Sequence, residues 1–249
     1  MDSVKLASLP NGLELYTESP SEALFMYGEI YEHGCYDSLP LPDEPFVVDV
    51  GANIGMFTFL IKERHPKARI IAFEPIPVTR RVLERNLALH GITDVRVEGC
   101  ALGDKAESDV LFTHYPRLPA NSTRYPEQKE LQIAVCVEKF PDQDMLEQHR
   151  GHPVRVQVDR LSRRVPAGPR IDLLKIDVEG AESHVLDGID AEDWARIDRI
   201  MLEVQDLDGR LGTIIRVLTG RGFRTEVMPS PMLLDEVRTF LVIAVREER

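Results

Sequence analysis

A chain of 249 residues with 43% hydrophobic and 29% charged residues has the composition of one globular α/β domain and is too short for two full domains. Its 42 acids against 30 bases leave a formal charge of −12, which counts against DNA or RNA as partner, because proteins that grip phosphate backbones present basic surface. No apolar run is long enough to span a bilayer and the first residues lack a signal-peptide core, so the expectation is a cytoplasmic protein with no membrane partner. Cys35, Cys100 and Cys136, odd in number and widely spaced, specify neither a disulfide framework nor a zinc site.

The chain opens with a short expected strand, residues 13–16, after the turn signal Pro10-Asn11-Gly12. Residues 21–31 then read as an aromatic-rich helix that Ser21 would cap. Tyr27, Glu29, Tyr31 and Tyr36 in this cap segment, residues 1–44, are candidates to touch a ligand, although packing on a sheet accounts for the aromatics equally well. The core follows over residues 45–249.

Residues 46–50 form an apolar, β-branched run ending in Gly51-Ala52-Asn53-Ile54-Gly55, after which apolar residues recur at helical spacing. That is the pattern of a buried strand, a tight turn and a helix, the first unit of a doubly wound sheet. The turn is not the Gly-x-Gly-x-x-Gly of a nicotinamide or flavin site, which makes a dinucleotide-dependent oxidoreductase the weakest reading. Asp49 stands two residues before the first glycine and Asn53 lies between the two. An acid and an amide at a strand end suit a ligand with a cationic amino-acid group, such as S-adenosylmethionine, better than a pyrophosphate. In the second unit, residues 69–73 read as a strand closed by Glu74-Pro75, and residues 78–90 as a helix. An ionised acid about 20 residues past the glycine turn is placed to accept hydrogen bonds from a ribose diol.

The blocks Asp49-Val50-Gly51-Ala52-Asn53-Ile54-Gly55, Phe73-Glu74-Pro75 and Leu174-Lys175-Ile176-Asp177-Val178-Glu179-Gly180-Ala181-Glu182, with Cys100-Ala101-Leu102-Gly103-Asp104 between them, resemble the signature of the FkbM family of S-adenosylmethionine-dependent methyltransferases over roughly residues 45–205. The resemblance implies the class I methyltransferase fold: a Rossmann-like, seven-stranded mixed sheet with helices on both faces, here behind an N-terminal helical cap. It also implies methylation of a hydroxyl on a small molecule, a natural product, polyketide or sugar, without naming the acceptor. Cofactor contacts are then expected from Asp49, Gly51, Ala52, Asn53, Gly55, Glu74, Pro75, Ala101, Leu102 and Asp177. Asp104 is read as a turn residue after Gly103 rather than an adenine partner.

Residues 95–97 are the third expected strand. Residues 107–158 depart from the family pattern and read as an acceptor-side insertion: strands at 110–112 and 131–137, a loop at 116–128 that covers the acceptor, and a short polar helix at 141–150. His114, His149 and His152 near this loop are candidate bases, while Arg160, Arg163, Arg164 and Arg170 read as a solvated connection rather than a phosphate site. Residues 171–176 form a strand ending at Asp177, followed by a helix to Gly188 whose first turn holds Glu179 and Glu182. Residues 199–205 form the next strand, with Glu203 near its end; residues 208–220 are a helix, and residues 224–227 and 239–245 are strands of a terminal antiparallel hairpin.

Asp177 and Glu203, on adjacent strand ends, are the expected catalytic pair, positioning the acceptor or taking its proton. The same pair, helped by Gln205 or Asp206, offers a possible Mg2+ site that would polarise the hydroxyl. Two other readings stay open: a binding protein that keeps the cofactor fold without catalysis, and an N-methyltransferase acting on a protein or a carrier-bound substrate. Neither oligomeric state nor acceptor identity is specified.

Overall fold

The computed structural model describes residues 4–33 and 40–247. Tyr36 and Cys35 lie outside the described residues. In chain order the elements are β1 (Lys5–Ser8), β2 (Glu14–Thr17), α1 (Pro20–Tyr27), β3 (Phe46–Val50), α2 (Met56–Arg64), β4 (Arg69–Phe73), α3 (Pro77–Leu89), β5 (Val95–Glu98), β6 (Cys100–Leu102), β7 (Glu107–His114), α4 (Glu130–Lys139), α5 (Met145–Gln148), β8 (His152–Asp159), α6 (Leu161–Arg164), β9 (Leu173–Ile176), α7 (Glu182–Asp187), α8 (Ala191–Trp194), β10 (Arg199–Gln205), α9 (Arg210–Gly220), β11 (Phe223–Pro229) and β12 (Thr239–Arg246).

The main sheet runs β11-β12-β10-β9-β3-β4-β5. β5, β4, β3, β9 and β10 pair in parallel, whereas β12 runs antiparallel to both β10 and β11. The central strands are buried on both faces because alternate side chains feed two different cores. Val47, Ile70, Leu173 and Met201 pack with α1, α2 and α3, while Val48, Ile71, Leu174 and Leu202 pack with α6 to α9. Strand order reverses between β3 and β9, which opens a crevice at their C-terminal ends, the place where doubly wound sheets hold ligands.

Two local expectations change. Ser19, not Ser21, caps α1, its side chain accepting from the Glu22 N–H, because Pro20 occupies the first helical turn. Residues 131–137 form most of helix α4 rather than a strand. The apolar run has no strand to pair with, and Lys129, Gln132, Cys136 and Phe140, spaced by three or four residues, all face one cavity. β6 leaves the main sheet and pairs in parallel with β8, which β7 joins antiparallel, giving a separate three-stranded sheet. The 116–128 segment is a connection containing two 3₁₀ turns, tied back by an isolated bridge between Thr113 and Thr123.

The basic residues after β8 are each neutralised. Arg160 pairs with Asp190, Arg163 and Arg164 with Asp159, and Arg170 with Asp198. No described helix is long and apolar enough to cross a membrane.

Candidate active site

The crevice is a cavity of about 470 Å³, walled by the ends of β3, β4, β9 and β10, the β6 edge, the turn after α1, and the insertion from residue 118 to residue 149. A volume of this size suits a drug-sized ligand.

The turn after β3 begins at Gly51, whose backbone sits at φ +82°, in the left-handed region. A Cβ built there would lie 1.8 Å from the Asp177 carbonyl oxygen, so only glycine lets the β3 and β9 ends approach this closely. Gly51, Ala52 and Asn53 line the cavity. Gly55 does not: it starts α2 at φ +98°, and its missing side chain makes room for Leu83. Asn53 Oδ1 is buried with no hydrogen-bond partner.

Glu74 ends β4 with its carboxylate accepting from the Asn53 N–H at 2.9 Å and the Ile76 N–H at 2.8 Å. One oxygen serves each donor, so each keeps a lone pair for a ligand hydroxyl. Burial pushes its pKa up to about 7, against the pull of those two N–H groups. Pro75, Ala101 and Leu102 complete this end as a flat, largely apolar wall. Asp104 is exposed and outside the cavity, in keeping with a turn residue.

Asp49 is placed differently from the expectation of direct ligand contact. It is fully buried beneath the turn, accepting from Thr58 Oγ1 at 2.9 Å and lying 3.4 Å from Lys175 Nζ. It is absent from the cavity lining, whereas its neighbour Lys175 is part of it. Lys175, which the motif contains but which residue type did not single out, also donates to the Gly51 carbonyl at 2.9 Å and pairs with Asp177 at 3.2 Å. Burial disfavours its charge, yet Asp177 and Asp49 outweigh that and hold its pKa above the ordinary lysine value.

Asp177 and Glu203 both line the cavity, as adjacent parallel strands require, for Ile176 and Leu202 are register partners one residue earlier. Glu29 joins them from a five-residue π-helical turn, Gly28–Glu32, that follows α1. Tyr27 and Tyr31 from the same segment stack on each other in the core instead. Glu179, at φ +54°, pairs with the buried Lys129, which also reaches Asn121 Oδ1 at 3.4 Å and Gln132 Oε1 at 3.3 Å. Glu182 accepts from the Gly180 N–H at 2.7 Å, the helix-start role expected of it. Burial raises the pKa values of Glu29, Glu179 and Glu203, Glu29 to about 7, and for Glu29 and Glu203 the neighbouring acids add to the effect.

Of the histidines, His149 lines the cavity, with Nδ1 bonded to the Met145 carbonyl at 2.8 Å. His114 is buried against Ser122 and Glu18, and His152 is exposed; neither reaches the cavity. His184, not singled out from the sequence, does reach it, stacked on Tyr125. The Mg2+ expectation is not supported. Among the described residues no three His, Cys, Asp or Glu side chains converge as a metal site. Asp206 is committed to Arg238 and the Leu211 N–H, and Gln205 donates to the Val237 carbonyl.

The strand order, the antiparallel last strand, and a glycine turn facing an acid at the end of the second parallel strand define a class I S-adenosylmethionine-dependent methyltransferase. Residues 49–242 match the family model described as the methyltransferase FkbM domain, and the chain belongs to that family. It is 38% identical over 228 residues to Methyltransferase 1 of Beauveria bassiana, an alignment covering 90% of each protein. It is 36% identical to the 31-O-demethyl-FK506 methyltransferase FkbM of Streptomyces tacrolimicus, again over 93% of each. Among solved structures, methyltransferase FkbM from Methylobacillus flagellatus superimposes with a TM-score of 0.58 at 16% identity, over 89% of this chain and 50% of that one, so this chain spans about half its length.

The residues present fit the cofactor on three counts: a glycine turn whose backbone lines the cavity at Gly51, an unpartnered buried amide oxygen on Asn53, and a carboxylate on Glu74 with open lone pairs. Ribose hydroxyls bond best to the ionised form of Glu74. Its pKa near 7 therefore predicts that the affinity for S-adenosylhomocysteine, whose sulfur is uncharged, falls as pH drops below about 7, by up to tenfold per pH unit, and that binding near neutrality releases a proton. Calorimetry in two buffers of different ionisation enthalpy measures that proton. Glu74→Gln is expected to weaken binding roughly tenfold to hundredfold at alkaline pH and to flatten the slope.

Proposed function

We propose that this methyltransferase transfers the methyl group of S-adenosylmethionine to a hydroxyl oxygen of a small, largely apolar molecule, with Asp177 and Glu203 at the acceptor end of the cavity. The observation that carries the reading is that three carboxyl groups, Glu29, Asp177 and Glu203, line one cavity together with the apolar Phe25, Leu118, Phe140, Met145 and Met232. Carboxylates suit the sulfonium charge that the bound cofactor supplies, and they repel an anionic acceptor. A hydroxyl is a poor nucleophile until a base takes its proton, and an acid with a raised pKa is matched to that task near neutrality. The name of the Streptomyces relative, a methyltransferase of 31-O-demethyl-FK506, supports oxygen as the target atom.

Lys129 and Glu179 tie the insertion to the β9 turn, and residues of the insertion line the cavity, which supports reading the insertion as a cover for the acceptor. Deletion of residues 118–128 is expected to weaken acceptor binding while leaving S-adenosylhomocysteine affinity within a few-fold.

The direct test supplies methyl-labelled S-adenosylmethionine with matched panels of alcohols and amines and identifies the product by mass. Label on oxygen supports the proposal. Label only on nitrogen, or on a carrier-bound substrate alone, would replace it with the N-methyltransferase reading, and tight cofactor binding with no transfer to either panel would favour a non-catalytic binding protein.

A further inference from the structure

Two carboxyl groups in the cavity come from opposite sides of the fold and meet. Glu203 is on β10, one residue beyond the last register pair with β9; Glu29 is on the π-helical turn that follows α1, 174 positions earlier in a chain of 249 residues. Both line the same cavity and lie within hydrogen-bonding reach of each other. A π-helical turn widens the backbone ring by one residue and is frequent at functional sites. Here it turns Glu29 into the cavity while Ile30 stays in the core and Tyr31 packs against it.

We propose that Glu29 and Glu203 form a carboxyl pair sharing one proton, and that this pair, rather than either residue alone, receives the proton of the acceptor hydroxyl. The proposal rests on the reading of the preceding subsection for the identity of the acceptor atom, but the pairing itself does not. Two carboxylates in contact inside a buried cavity do not both ionise, because each charge is poorly solvated and repels the other. The charged groups facing them do not undo this. Asp177 and Glu179 add negative charge on the β9 side, and Lys175 and Lys129, the cations that act on Glu29 and Glu203, are already paired with Asp177, Asp49 and Glu179. The pair therefore carries one negative charge and one proton, with the proton bridging the two groups. Burial first and the charge of Asp177 second lift Glu29 to about 7, against the hydrogen bond from Glu203, and that value is matched to a base working near neutrality.

The step balances. The acceptor O–H bond breaks and its proton passes to the ionised oxygen of the pair, which becomes neutral. The new O–C bond forms as the C–S bond breaks, and the electron pair of that bond stays on sulfur. One positive and one negative charge disappear together inside the cavity, so no isolated charge is left in a poorly solvated site. The pair then returns its extra proton to solvent.

The test begins without any acceptor. Infrared difference titration of the full chain, with side-chain-labelled glutamate, follows the protonated carboxyl C=O band across pH in the wild type, Glu29→Gln and Glu203→Gln. In the wild type the band is expected to persist to a higher pH than in either single variant, since removing one member relieves the other of its repulsion, shifting the remaining midpoint down by about one pH unit or more. S-adenosylhomocysteine affinity, retained within a few-fold, shows that the variants are folded. Midpoints in the single variants equal to those of the wild type would mean two independent acids and would overturn the pair.

The second measurement is transfer of labelled methyl to the alcohol panel. Glu203→Gln is expected to lower kcat by 10²-fold or more with little change in KM for the cofactor, and to move the acid limb of the pH profile. Coupled carboxyls with unchanged turnover in both variants would overturn the base role. Absence of transfer to every alcohol by the wild type would count against the hydroxyl acceptor instead, and the infrared titration would still decide whether the pair exists.

Discussion

Gly51→Val is expected to abolish measurable binding of S-adenosylmethionine and to destabilise the fold, the combined result of a forbidden backbone and a clash with the end of β9. The native φ of +82° is a conformation that β-branched residues rarely adopt. The first side-chain carbon would fall 1.8 Å from the Asp177 carbonyl oxygen, a backbone atom that cannot swing away. Relief requires either the β3 turn or the β9 end to move, and both line the cavity. Backbone strain and overpacking together place the loss of stability on the order of 3–5 kcal/mol. Gly55→Ala serves as the comparison. Its Cβ would meet the end of the flexible Leu83 side chain rather than backbone, and Gly55 does not line the cavity, so cofactor affinity is expected to survive in the folded fraction. Thermal unfolding and calorimetric titration of the two variants separate the effects; wild-type affinity in Gly51→Val would show that the glycine turn is not where the cofactor binds.

Lys175→Met is expected to produce the second large effect, this time through charge. The Lys175 side chain is 5% exposed and neighbours both Asp49, which is 0% exposed, and Asp177. Removing the ammonium while keeping a side chain of similar length leaves the Asp49 carboxyl in the core with Thr58 as its one hydrogen-bond donor. Breaking a buried pair in this way costs about 3–5 kcal/mol, or roughly 10 °C in Tm for a chain of this size. The pH dependence carries the diagnosis. Burial already raises the Asp49 pKa, and without Lys175 it rises further. A carboxyl whose folded pKa exceeds its unfolded value contributes stability that is fully present below the unfolded pKa and is lost as pH rises through the folded one. The deficit of Lys175→Met relative to wild type should therefore be small in mild acid and grow toward alkaline pH. Asp49→Asn in the same background is expected to recover part of the loss, because it removes the stranded charge. A deficit independent of pH would mean that Lys175 acts by packing alone.

Most of the main sheet is legible in the sequence because each strand there is buried on both faces. A strand that supplies Val47 to one core and Val48 to the other must be apolar at successive positions, and that run is visible without knowing its neighbours. The glycine turn and the acid closing the second strand are legible for a related reason: Gly51 and Glu74 answer to local backbone geometry and to a ligand, so residue type and spacing carry the information. The same local signals mislead at residues 131–137. An apolar, β-branched run is read as a strand, and only the absence of a pairing partner and the presence of a cavity on one side make it helix α4. The periodic set Lys129, Gln132, Cys136 and Phe140 held the contrary signal.

By itself, then, the sequence determined the order of strands and helices through the core, the ligand end of the sheet, and the family. The tertiary structure alone decided that Asp49 is buried against Lys175 and Thr58, that Lys129 meets Glu179, and that Glu29 and Glu203 line one cavity. The physical reason is separation along the chain. These partners are brought together by packing of the sheet, the cap and the insertion, and a titratable side chain carries no mark of which distant charge or how little water will surround it.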